Sequence, residues 1–65
     1  MIGVLRQLLA VRPFRPLRLV LTCGGEVPVS SPARIRIPDE ETARVWTEDG
    51  TEHIIDLRHL VEIRS

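Results

Sequence analysis

Trp46-Thr47-Glu48-Asp49-Gly50-Thr51-Glu52-His53-Ile54-Ile55-Asp56-Leu57-Arg58-His59-Leu60-Val61-Glu62-Ile63-Arg64-Ser65 reads as strand, tight Asp-Gly turn, strand, short helical corner and final strand. The turn admits two registers. A two-residue type I′ loop over Asp49-Gly50 sets Val45 opposite Ile54, whereas a type I turn over Glu48-Asp49-Gly50 with a glycine bulge sets Val45 opposite His53 and Ala43 opposite Ile55. The choice decides which of Ile54 and Ile55 shares the face of Val45. The bulged turn is the better solution, because it groups Ala43, Val45, Ile55 and Leu57 on one inner face. Trp46 and Ile54 then share the other face, as an apolar patch that is partly exposed or covered by a helix or a neighbouring subunit.

Upstream of this hairpin, short alternating segments are separated by turn signals. Ala33-Arg34-Ile35-Arg36-Ile37 alternates most cleanly, with Ile35 and Ile37 inward and two arginines outward. Pro38-Asp39-Glu40-Glu41 is an acidic turn leading to the strand Ala43–Thr47. Leu17, Leu19 and Leu21 share one face of an earlier strand, and Gly24-Gly25 turns it into Glu26-Val27-Pro28-Val29-Ser30. Pro28 lacks a backbone donor and places that second strand at an edge or a bulge. Residues 1–12 have helical periodicity, with Leu5, Leu8 and Leu9 on a face backed by Met1 and Ile2. Pro13 ends the helix by pushing its predecessor out of the helical region. A helix this short is unstable alone in water and must pack on the remainder. Phe14, in the proline-rich connection, is placed to anchor it. The expected fold is therefore mainly β: one domain over residues 1–65, a small barrel of five to six short antiparallel strands with one N-terminal α-helix.

A chain of 65 residues is marginal for a single core and commonly gains stability from a disulfide, a metal or a second subunit. Cys23 is alone, so no disulfide forms within the chain. Homo-oligomerisation is the expected solution. Nine arginines offset nine acidic residues, there is no lysine, and the formal net charge is zero. Nucleic-acid binders usually carry a basic excess. Arginine without lysine has a simple explanation in compositional bias, as in a GC-rich genome. The opening segment is broken by Arg6 and Gln7 and lacks the features of a signal peptide. It is also far short of a membrane span. With one unpaired cysteine, a reducing, cytoplasmic setting is expected.

Candidate sites are few. His53 and His59 lie six residues apart, across a strand and a corner, and meet neither helical nor alternate-strand ligand spacing. Two ordinary imidazoles explain them more simply than a metal shared with Asp56. Cys23 beside Gly24-Gly25 reads as a turn residue; a nucleophile would need a neighbouring base. No catalytic residue, metal or cofactor is indicated, and enzymatic activity is not expected. Arg18, Arg34 and Arg36 fall on outward positions of strands and offer a possible nucleic-acid contact, although pairing with neighbouring glutamates accounts for them as well. Only Phe14 and Trp46 could serve as stacking platforms. Trp46 and Ile54 are the expected partner surface.

The segment Arg12-Pro13-Phe14-Arg15-Pro16-Leu17, followed by Leu19-Val20-Leu21, Gly25, Val27, Val29 and Ile54-Ile55-Asp56-Leu57, resembles a family of short uncharacterised bacterial proteins abundant in planctomycetes. That resemblance covers most of the chain and implies no known activity. The chain departs from the family pattern at Ser30-Ser31-Pro32, where a histidine-proline pair is usual. In the order of its elements, with Asp56-Leu57-Arg58-His59-Leu60 as a corner, the chain also resembles SH3-like and Sm-like small barrels. The Sm resemblance implies ring assembly through edge strands and RNA binding. The expected function is a non-catalytic, self-associating binding or scaffolding module with a protein partner. An Sm-like RNA-binding oligomer is the alternative, and a small enzyme or metal protein using His53, His59 and Cys23 a weaker one.

Overall fold

A computed structural model describes all 65 residues. The chain runs α1 (Ile2–Ala10), β1 (Leu17–Leu21), β2 (Glu26–Val29), a 3-10 turn at Pro32–Arg34, β3 (Ile35–Asp39), β4 (Thr42–Trp46), β5 (Glu52–Asp56), a second 3-10 turn at Leu57–His59, and β6 (Leu60–Arg64). The β4–β5 hairpin adopts the bulged register: Val45 lies opposite His53 and Ala43 opposite Ile55. Gly50 carries the positive φ this turn requires, +89°. Asp49 locks it, its Oδ1 accepting from the Thr47 hydroxyl and from the backbone N–H of Thr51. The inner face that follows is fully formed, with Ala43, Val45, Ile55 and Leu57 all buried.

The strands form two antiparallel sheets of three, in the orders β2-β1-β6 and β3-β4-β5. This corrects the expectation of a closed barrel. Both connections between the sheets, from β2 to β3 and from β5 to β6, pass through 3-10 turns, so no ladder is carried round the corners. The cause at the first corner is local. The Ser31 hydroxyl accepts from the N–H of Ala33 at 3.1 Å and Pro32 occupies the first helical position, a capped start that helices favour. Ala33 and Arg34 are consequently drawn out of the expected strand, and β3 begins at Ile35. At the second corner Asp56 plays the Ser31 role, accepting from the N–H of Arg58.

Eleven apolar side chains form one core between the sheets and the helix. Leu17 and Leu19 of β1, Val27 and Val29 of β2, and Ile35 of β3 join the inner face of the hairpin. Pro28 sits on β2, an edge strand, as its missing N–H demands. The helix contributes Leu5, which is completely buried, while Ile2, Leu8 and Leu9 pack on the core beside it. Phe14 is half-buried against the same core. The helix is shorter than the expected 1–12: Val11 is already extended, and the Arg12 guanidinium donates to the carbonyls of Leu9 and Val11 at 2.9 and 3.0 Å. No helix is long and apolar enough to cross a membrane.

Candidate partner-binding faces

On the outer face of the second sheet, Arg36 of β3 lies opposite Arg44 of β4, and Arg44 opposite Ile54 of β5. Trp46 lies one alternate position along β4 and opposite Glu52, which makes it a diagonal neighbour of Ile54. Trp46 is half-buried because Arg44 covers it, with the guanidinium carbon 5.3 Å from the ring centroid. Glu52 holds Arg44 there through an Nη2–Oε2 ion pair of 2.8 Å. Ile54 has no such cover and is 69% exposed. The structure thus brings Trp46 and Ile54 to one face and distinguishes them: Trp46 is roofed, Ile54 is open.

The sheet edges around this face are unequal. Pro28 interrupts β2, and Pro38 with a register shift interrupts β3, both of which blunt an edge against strand addition. Strands β5 and β6 are the other two edges and contain no proline, although β6 has a register shift at Val61 in its pairing with β1 and only β5 pairs without interruption. Each exposes a large apolar residue, Ile54 on β5 and Val61 on β6.

Arg18, Arg34 and Arg36 do not form one ladder. Arg18 is on β1 in the first sheet, 3.7 Å from Glu26 and opposite Arg64. Arg34 lies in the first 3-10 turn, and its guanidinium donates to the carbonyl of Thr47 at 3.0 Å. That bond ties the corner to the hairpin turn. Arg36 stands on β3 beside Arg44. The cross-strand arginine pairs are therefore Arg36 with Arg44 and Arg18 with Arg64. Neither pair follows from spacing along the chain, since each depends on which strands become neighbours.

His53 and His59 are not brought together. His53 lines the largest cavity, about 620 Å³, which opens between the end of β2 and the β4–β5 turn beside Ser30, Thr47 and Asp49. Asp49 is engaged in its turn: hydrogen bonds from Thr47 and then Thr51 lower its pKa from 3.8 to about 2, and both fall on its Oδ1. His59 lines a different, shallow cleft of about 240 Å³ with Cys23 and Asp56. Its Nδ1 is 3.3 Å from the Thr22 hydroxyl, and its Nε2 is 3.8 Å from Asp56. Asp56 itself is committed to Arg58, whose side chain and backbone hydrogen bonds hold its pKa at about 2. Cys23 is exposed in the β1–β2 turn. No three His, Cys, Asp or Glu side chains converge in a way that could hold a metal ion. Comparison with protein-family models, with curated proteins and with solved structures found no match.

Proposed function

We propose that this chain is a non-catalytic binding or scaffolding module of the SH3-like or Sm-like kind, which self-associates and presents the Ile54–Trp46 face to a protein partner. Kinship with the planctomycete-type proteins belongs to the same proposal. One observation carries it: Ile54 stands open on an edge strand that has no proline or bulge, beside a roofed tryptophan. Covering such a side chain is worth about 1.5–3 kcal/mol, and a free edge supplies backbone donors and acceptors to whatever covers it. The order of elements supports the SH3-like or Sm-like kinship, without a closed barrel, because the last strand returns after a 3-10 corner to pair with the first.

Solution mass, measured together with absorbance for co-purifying nucleic acid, tests the reading. The expected result is a particle heavier than the 7.4 kDa chain, with the absorbance of protein alone. A monomer at every concentration refutes self-association. The Sm-like RNA-binding alternative has its own support in Arg36 opposite Arg44 beside Trp46. It requires retention on RNA that falls steeply with salt and is abolished by Arg36→Glu. Absence of binding in low salt excludes it.

A further inference from the structure

The net charge of zero conceals a segregation. Residues 1–25 contain Arg6, Arg12, Arg15 and Arg18 and no acidic residue, a net of +4. Residues 26–65 contain five arginines against nine acids, a net of −4. Three of those four arginines, Arg12, Arg15 and Arg18, line two adjoining clefts that share Leu17 and Ser65. One, of about 340 Å³, is lined by Arg12 and Arg15 with Leu8 and Val11 of the helix end. The other, of about 470 Å³, is lined by Arg18 and Arg64 with Pro28 and Val29. No Asp or Glu side chain lines either one. Arg18 and Arg64 are within ion-pair distance of Glu26 and Glu62, which do not line the clefts, and Arg12 donates to the carbonyls of Leu9 and Val11; Arg15 has neither an ion pair nor a hydrogen bond. The floor is aliphatic and proline-rich, without an aromatic ring for a base to stack on. Such a groove suits carboxylates, which arginine forks bind in pairs.

The chain carries a matching group. Glu26, Glu52, Asp56 and Glu62 are taken by arginines, and Asp49 is used within its turn. The acids without an arginine partner are Glu48 and three in succession, Asp39 at the end of β3 and Glu40 and Glu41 in the turn after it, with Asp39 Oδ1 also accepting from the Glu41 N–H at 2.8 Å. All three are exposed, with Glu41 in the outer field of Arg58. This turn cannot reach its own groove. Its Glu41 carbonyl accepts from the N–H of Leu57 at 2.7 Å, which fixes it at the corner before β6. The groove lies at the far end of β6, by Arg64, roughly 13 Å along the strand.

We infer that the groove lined by Arg12, Arg15, Arg18 and Arg64 receives the Asp39-Glu40-Glu41 turn of a second copy of this chain. The inference rests on the self-association proposed above and names its contact. Because the two surfaces differ and lie at opposite ends of β6, the contact is head-to-tail and propagates into a ring or a chain of copies. It is electrostatic, so it weakens with salt.

Charge reversal with sedimentation or light scattering tests it, using Arg15→Glu, Glu40→Arg and their mixture. Both positions are exposed, and unchanged melting verifies that each variant folds. Each variant alone sets like charges together and is expected to lose association by roughly tenfold or more. Mixed in equal amounts, they restore complementary contacts in both directions, and assembly returns. Wild-type assembly disperses at about 1 M salt, where the screening length falls to ~3 Å. An assembly indifferent to both variants and to salt overturns this contact while self-association stands. Loss in both single variants without recovery in the mixture also overturns it. A wild type that is monomeric in low salt overturns the contact and self-association together.

Discussion

Leu5→Ala should cost this protein a large share of its stability through a single side chain. Leu5 is the one helical residue with no exposed surface, and it is the centre of the helix–core contact. Leu→Ala at a fully buried site removes the transfer free energy and leaves a cavity, for a loss of about 2–5 kcal/mol. A domain of this length has a total stability of roughly 3–10 kcal/mol. The variant therefore sits near its unfolding transition at room temperature, with a melting temperature lower by at least about 10 °C on the scaling for small domains. Val4→Ala is the control. Val4 is the preceding residue on the same helix and is 50% exposed, so its truncation should cost no more than about 0.5 kcal/mol. Urea unfolding followed by helical circular dichroism and by Trp46 fluorescence provides the assay. The two signals report the helix and the far face of the second sheet. They should move together in the wild type, because a nine-residue helix has no stability of its own. If Leu5→Ala and Val4→Ala shift the midpoint equally, or if the helical signal melts well before the tryptophan signal, the helix is not part of the core and the reasoning fails.

Two further outcomes follow from the turns. Gly50→Ala puts a side chain at φ +89° in otherwise open space, so it should destabilise by about 1–2 kcal/mol from backbone conformation alone. Gly3→Ala, also in open space but in a helix, should stabilise by up to about 1 kcal/mol; thermal melts that move in the same direction for both would contradict this. The pH dependence has a definite sign. Asp49 and Asp56 have folded pKa values lowered from 3.8 to about 2, by hydrogen bonds from Thr47 and from Arg58 respectively. Their contribution is complete above the unfolded value and drains away as pH falls from 3.8 towards 2. Urea midpoints should decline across that window, and less so in Asp56→Asn; a wild-type profile flat across it would show that neither carboxylate is held as described.

Much of this architecture is legible in the residue order. The alternation of Ala43, Val45, Ile55 and Leu57 selects the bulged register, because the other register would have buried Ile54 in place of Ile55. Pro28 marks an edge strand and Pro13 limits the helix, each by subtraction of a backbone option. At Ala33-Arg34 two local signals compete. The alternation with Ile35 and Ile37 reads as strand, whereas Ser31-Pro32 is a capped helix start. The cap prevails, since Ser31 gains its bond to Ala33 without any partner strand, whereas a strand there would need one. The separation into two sheets is less legible: it depends on both corners breaking their ladders, which is a property of pairing, not of any one segment.

The arginines show the same boundary from the other side. An average over the chain, zero net charge, argues against electrostatic function only if the charges are mixed in space. Here four acids are matched by arginines within ion-pair distance, and what is left over is partly sorted. Of the arginines without an acidic partner, Arg6, Arg12 and Arg15 lie in the helix and the connection after it, while Arg34 and Arg36 lie at the first corner and on β3; three of the unpaired acids lie together at Asp39-Glu40-Glu41. Arg12 and Arg15 come from the connection after the helix, Arg18 from β1 and Arg64 from the last strand, so their groove exists only once β1 lies between β2 and β6. No spacing rule links Arg18 to Arg64. The antiparallel register that sets them opposite each other does, and each keeps a glutamate of its own, Glu26 and Glu62, within ion-pair distance. The folded chain pairs four of its acids locally and holds the Asp39-Glu40-Glu41 turn and the cleft beside Arg15 at opposite ends of β6, so no contact within one chain joins them.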